Sequence, residues 1–342
     1  MKNIIQTCAL LFLWPMFAVG QIHDYSVEKD LAYATVDGHE LTMDIYMPET
    51  GKKKYPVLVI FHGGGWLINN KSIMDEMSVY MASHAEYVVC NVNYRLLVDN
   101  NNTVKINQIV EDALGAVLWI QDNIDGYNGD PDQVAVTGDS AGGHLAEMVL
   151  VAGDKLSSTG FDYEPLGFNP TYMPKGMSSE KLAKKGGVEV QAAIISYGAF
   201  DLYQAALNGF ESSSNFFWQM GGAEARSIFG GDITPQDSPE MYQLVSPYYI
   251  LPGAGDKILP PQLFTVGSLD NTTTPESVEA YYTRVKESGH PAEYWEYADR
   301  PHAFLDSGSN EFLGTSFEED APEALDVMID FLNGVFYSEE GN

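Results

Sequence analysis

Short runs of apolar residues, each followed by a stretch with helical spacing, constrain this chain more than any other feature. Residues 56–61 read Pro-Val-Leu-Val-Ile-Phe without one polar side chain, the pattern of a strand buried on both faces. Residues 87–93, 133–137, 190–196, 262–266 and 292–297 read as further strands. Between them, 72–85, 106–124, 142–152 and 277–288 read as helices, and 321–336 as a closing amphipathic helix. Within 106–124 the apolar residues Ile109, Ala113, Ala116, Val117 and Ile120 recur at the helical period. Strands alternating with helices predict the α/β class, with a central, mostly parallel sheet and helices on both faces. Asp37-Gly38 lies between the strand-like runs 31–35 and 41–47. That is a hairpin signal, and it places an antiparallel pair at one sheet edge.

Two segments interrupt the alternation. Residues 155–187 are rich in Gly, Pro, Ser and Lys and read as a long surface insertion. Residues 203–260 contain no strand but carry Phe216, Phe217, Trp218 and Phe229, and read as a cap over one end of the sheet. Residues 1–20 read as a signal peptide: Lys2, an apolar stretch, then Ala18-Val19-Gly20 before the cut. The stretch is shorter than the ~20 apolar residues a membrane span needs and is broken by Pro15, so it predicts export without a stable membrane anchor. Residues 21–342 are then expected to form one secreted or periplasmic domain. Cys8 leaves with the leader, and Cys90 alone makes no internal disulfide. The 18 Lys and Arg stand against 48 Asp and Glu, a net charge of -30 that repels phosphate backbones and excludes a nucleic-acid partner.

Three separated pieces carry the chemistry. Gly138-Asp139-Ser140-Ala141-Gly142 is a G-x-S-x-G placed where a strand ends and a helix begins. Such a turn raises the serine oxygen above the carboxyl edge of the sheet, where a helix N-terminus favours developing negative charge. His62-Gly63-Gly64-Gly65-Trp66 directly follows the strand that ends at Phe61. Successive glycines free main-chain N–H groups to meet an oxyanion, so Gly64, Gly65 and Ala141 are the candidate donors. A phosphate-binding loop would need Gly-Lys-Ser/Thr next, and none follows. The third piece is an acid and a base at the ends of the last two strands, Asp270 and His302. His302 takes the serine proton in this reading, and Asp270 holds the imidazole tautomer. His62 is read as loop support, His144 as packed on the nucleophile helix, and His290 as a cap or surface residue. Asp256 precedes its strand and Asp306 shares the loop of His302, so Asp270 is the preferred acid. Trp66 and Trp218 are expected to line the substrate pocket as stiff aromatic walls. The pattern asks for no cofactor and no metal.

His62-Gly-Gly-Gly-Trp66, the Tyr94-Arg95 pair, Gly138-Asp-Ser-Ala-Gly-Gly143 and His302-Ala-Phe304, in that order, resemble the hormone-sensitive-lipase branch of the α/β-hydrolase superfamily, the bacterial esterase/lipase family. The resemblance spans about residues 33–336. It implies an α/β-hydrolase fold with an eight-stranded sheet, a Ser-Asp-His triad and hydrolysis of carboxylic esters, usually of short acyl chains. Members secreted by polysaccharide-degrading bacteria resemble acetylxylan or feruloyl esterases, which makes a small-molecule or polysaccharide-linked ester the expected partner. The family has Asp-Pro-Leu at the acid, whereas here Asp270 is followed by Asn271-Thr-Thr-Thr-Pro275. A peptidase or amidase on the same scaffold and a non-catalytic binding relative remain as alternatives. Prolyl-peptidase relatives carry an N-terminal propeller, for which the residues before the sheet leave no room, and binding relatives lose a triad member, which this chain does not.

Overall fold

The computed structural model describes residues 22–161, 167–231 and 233–337. The expected signal peptide and Cys8 lie outside the described residues. β1 (Tyr25–Val36) and β2 (His39–Pro48) form the antiparallel hairpin, turning at Asp37-Gly38 with positive φ at both positions. β1 is longer than the sequence pattern indicates. Residues 25–30 are mostly polar because they lie at the open edge of the sheet, where one face meets water, with Tyr25 to Glu28 paired to β2 and a bulge before Leu31. β3 (Tyr55–Phe61), β4 (Val88–Val92), β5 (Gly129–Asp139), β6 (Ala192–Ser196), β7 (Gln262–Gly267) and β8 (Ala292–Tyr297) run parallel to one another. The sheet order is β1-β2-β4-β3-β5-β6-β7-β8, eight strands in which β2 alone runs against the rest, antiparallel to both β1 and β4. This is the α/β-hydrolase arrangement. Every residue of β3, β4, β6 and β7 is buried, which is why those segments show no polar alternation.

The chain leaves β3 toward β4 on one side and returns to β5 on the other. That reversal opens a crevice at the carboxyl ends of the central strands, where ligands bind in open α/β sheets. The loops after β3, β5, β7 and β8 all emerge at that edge and carry His62, Ser140, Asp270 and His302 respectively. Helices Ile106–Asn123 and Ala141–Ala152 pack together against the sheet, and Asp75–His84 packs with Phe317–Phe336.

The described residues of the 155–187 segment are more firmly held than a loop-rich composition implies. Phe168 is fully buried, and Glu111 on helix Ile106–Asn123 accepts the Asn169 N–H at 3.0 Å. The 203–260 segment contains no strand among its described residues. It folds into the short helices Leu202–Leu207, Phe216–Gly221, Pro239–Leu244 and Pro247–Ile250. Trp218, Phe229 and Tyr242 make its core, and Arg226 ties it to the loop after β4 by donating to the carbonyls of Leu97, Asn102 and Val104.

Candidate active site

Ser140 sits between β5 and helix Ala141–Ala152 at φ 52° and ψ -114°, a region that non-glycine residues occupy only under constraint. Its own N–H donates to the Ser196 carbonyl at 2.9 Å, which fixes the turn to β6. A Cβ on Gly142 would stand 1.9 Å from the Phe61 carbonyl oxygen, and one on Gly138 would stand 2.3 Å from the Gly142 backbone. Helix and strand therefore meet at a distance only glycine allows, and the serine is left projecting from the tightest point.

The structure brings Ser140, His302 and Asp270 together. His302 Nε2 lies 3.0 Å from Ser140 Oγ, and Nδ1 lies 2.7 Å from Asp270 Oδ2. Asp270 is 2% exposed, and its other oxygen accepts the N–H groups of Thr272 (2.7 Å) and Thr273 (3.0 Å). The Thr273 hydroxyl donates to the Tyr197 carbonyl at 2.7 Å. The Asn-Thr-Thr run after Asp270 thus folds back over the carboxylate, which explains how the acid is held without a proline behind it. Asp256 is exposed in the turn 253–257, away from this arrangement. Asp306 lines the same cleft as His302 but makes no hydrogen bond to it. Chemically, such a chain can pass the serine proton to Nε2 while Nδ1–H stays on the carboxylate.

Gly64 and Gly65 have φ of 115° and 60°, so their amide planes are turned out of the extended range. Neither N–H finds a backbone acceptor among the described residues, and Ala141 opens its helix, where the N–H has no partner within the helix. His62 stacks on Tyr94 at 4.3 Å, its Nδ1 lies 2.7 Å from the Gly63 carbonyl, and burial pushes its pKa down to about 4. It is a neutral brace for the glycine loop. Arg95 grips Asp112 with two parallel bonds, Nε to Oδ2 at 2.8 Å and Nη2 to Oδ1 at 2.7 Å, and so anchors the loop after β4 to helix Ile106–Asn123. His144 is buried and also pushed down to about 4 by burial. His290 is buried rather than at the surface: its Nε2 donates to the Pro252 carbonyl at 2.8 Å.

The cleft over Ser140 and His302 holds about 590 Å³. Its lining mixes apolar residues, Ile68, Phe216, Phe217, Met220, Phe312 and Leu313, with the polar Asn69, Asn215, Asn271, Thr272 and Asn310. Trp218, expected in the pocket, is not there. It is 1% exposed and forms the cap's core under the Arg226 guanidinium, 5.7 Å from its ring, because the six-residue helix turns Phe216 and Phe217 toward the cleft instead. Trp66 is likewise absent from the cleft lining. It is 4% exposed and packs edge-on to His144 at 5.1 Å. Sequence reasoning also passed over Asp139, whose carboxyl is pushed up to about 6 by burial, partly offset by His302. Asp306 is raised well above the ordinary range by burial and by Asp139. Their signal was available only as an acid beside the nucleophile and another after the base. No group of three His, Cys, Asp or Glu among the described residues is placed to hold a metal ion.

The sequence matches the BD-FAE family profile over residues 43–284. Isoprenylcysteine alpha-carbonyl methylesterase ICME of Arabidopsis thaliana is 24% identical over 311 residues, covering 89% of this chain and 64% of the plant protein. Carboxylesterase NlhH of Mycobacterium tuberculosis is 31% identical over 110 residues, 32% of this chain and 33% of that protein. The matched segments thus span from one third to just under two thirds of these relatives. Among solved structures, propionate-bound esterase 2 of Thermogutta terrifontis superposes with a TM-score of 0.63 at 21% identity, covering 96% of this chain and 98% of that one. The same esterase phosphorylated by paraoxon gives 0.64, again at 21% identity, covering 92% and 95%.

Proposed function

The chain belongs to the BD-FAE family, and from that premise we propose that it is an exported serine carboxylesterase acting on short-acyl or small aromatic esters, with acetyl or feruloyl groups on polysaccharide as its first candidates. The observation that carries the reading is the unbroken run from Ser140 Oγ through His302 to Asp270, at 3.0 and 2.7 Å, opening into a cleft. Ser140 Oγ attacks the ester carbonyl as His302 Nε2 takes its proton, and the oxyanion forms against the N–H groups of Gly64, Gly65 and Ala141. Collapse breaks the bond to the alcohol, which leaves with the proton from His302. Water, deprotonated by His302, then attacks the acyl-serine and frees the acid.

The cleft supports the substrate class. Phe216 and Phe217 meet at 5.5 Å in a T-shaped pair, and Phe216 lies parallel to Phe312 at 6.0 Å. These rings are stiff walls that suit a small or flat acyl group better than a long flexible chain. The asparagines of the lining, Asn69, Asn215, Asn271 and Asn310, bring polar groups for a hydroxyl-bearing alcohol. Export is supported by the apolar leader and its Ala18-Val19-Gly20 end.

The test is kcat/KM across p-nitrophenyl esters from acetate to palmitate, beside feruloyl and acetyl sugar esters and p-nitroanilides. The reading expects turnover of short or aromatic esters and none of the anilides. A maximum at eight carbons or longer, or faster anilide than ester cleavage, overturns it.

A further inference from the structure

Trp66 ends the glycine loop at φ 60°, a left-handed conformation that a bulky residue keeps only when its surroundings hold it. Its carbonyl accepts the Leu97 N–H at 2.8 Å. Its ring is fixed by two partners. The indole Nε1–H donates to His144 Nδ1 at 3.2 Å, and the ring packs edge-on against Phe210 at 5.6 Å. His144 stands one turn beyond Ser140 on the nucleophile helix, with its N–H on the Ser140 carbonyl at 3.1 Å. Its other ring nitrogen, Nε2, donates to the Val245 carbonyl of the cap at 2.8 Å. The bonds fix the tautomer: Nδ1 is the acceptor and Nε2 carries the proton. One neutral imidazole therefore joins the serine's helix, the loop with the oxyanion donors and the cap. A Cβ on Gly65 would stand 2.6 Å from the Phe217 ring, so cap and glycine loop are pressed together at a second point.

Resting on the esterase reading above, we propose that His144 is a positioning residue that sets the Gly64-Gly65 donors by accepting the Trp66 indole N–H. Burial that pushes its pKa down to about 4 keeps the Nδ1 lone pair free at any pH where the triad works. Oxyanion donors act on the transition state far more than on the bound ester, so loss of their alignment lowers kcat and leaves KM little changed. A misplacement near 1 Å costs on the order of 10²-fold.

Two isosteric replacements separate the arms of the imidazole. Asparagine keeps an acceptor where Nδ1 stands and loses the bond to Val245; glutamine keeps a donor where Nε2 stands and loses the bond to Trp66. The experiment compares kcat and KM on p-nitrophenyl acetate for His144→Leu, His144→Asn, His144→Gln, Trp66→Phe and the double variant His144→Leu/Trp66→Phe, with melting temperatures alongside. The expected result is a fall of about 10- to 100-fold in kcat for His144→Leu and Trp66→Phe with KM within about threefold. The double variant loses no more than either single one. His144→Asn recovers at least tenfold over His144→Leu, and His144→Gln recovers stability without kcat. A His144→Leu protein that is folded and keeps kcat within about threefold overturns the proposal. So does equal rescue by glutamine and asparagine, because the bond to Trp66 would then not be the one that matters. Absence of any ester turnover in the unmodified protein instead rejects the esterase reading, a failure visible before any variant is made.

Discussion

Glu147 lies on the nucleophile helix, fully buried, with one oxygen accepting the Tyr281 hydroxyl at 2.8 Å and the other without a partner. Burial pushes its pKa from the ordinary 4.5 up to about 7, and the Tyr281 bond opposes only part of that. An acid whose pKa is raised by folding makes stability fall as pH rises. Below 4.5 both states hold the proton. Between 4.5 and 7 the unfolded chain has released it while the folded one has not, and above 7 the folded state carries a buried charge. At about 1.4 kcal/mol for each tenfold change in proton affinity, the full effect is roughly 3 kcal/mol. Glu147→Gln removes it, since the amide oxygen still accepts from Tyr281 and nothing ionises. Urea unfolding at pH 5 and pH 8 measures the result. The variant should differ little from the parent at pH 5 and exceed it by roughly 3 kcal/mol at pH 8. Glu111, also pushed up to about 7 by burial, and Asp139 titrate in the same range, so the difference between parent and variant at each pH is the quantity to read. Equal destabilisation of the variant at both pH values would refute the reasoning, because the carboxyl's proton would then play no part.

Four further outcomes follow from the geometry. His302→Ala should cost about as much kcat as loss of the serine, on the order of 10⁶, whereas His290→Ala, far from the cleft, should leave turnover within about threefold; stopped assays with folded proteins check both. Asp270→Asn should cripple hydrolysis and Asp256→Asn should not, and the reverse pattern would give the acid's role to the exposed residue. Trp218→Ala should lower stability by about 3–5 kcal/mol as a core cavity does, without altering acyl-length preference, whereas Phe217→Ala should broaden that preference toward longer chains. Gly142→Ala should prevent a native elbow, since its methyl would overlap the Phe61 carbonyl; circular dichroism together with activity reads this.

Much of this organisation was legible in the chain. The run at β3 is apolar, and those at β4 and β7 mostly so, because helices or neighbouring strands cover every residue, and that is a local property of the sequence. Gly138 and Gly142 announced the elbow because close approach of strand and helix demands them. The extent of β1 was hidden, since its first half lies at an edge and Asp30 bulges there at φ 54°. Which ring of Phe216-Phe217-Trp218 faces the substrate was also hidden, because a six-residue helix has no periodicity to read and its orientation is set by Arg226 and the loop after β4. The role of His144 depends on Trp66, 78 residues earlier, and on Val245, 101 later, contacts that no local pattern encodes.

The central claim is that Ser140 is the acylated nucleophile. Mass spectrometry of peptides after treatment with an organophosphate, alongside the esterase activity of Ser140→Ala, tests it most directly. The account predicts a single adduct on the peptide holding Gly138-Asp-Ser-Ala-Gly142, activity lost in proportion to labelling, and a folded Ser140→Ala variant slower by about 10⁶. An adduct on any other residue, or a Ser140→Ala variant that still hydrolyses p-nitrophenyl acetate at a comparable rate, would contradict it.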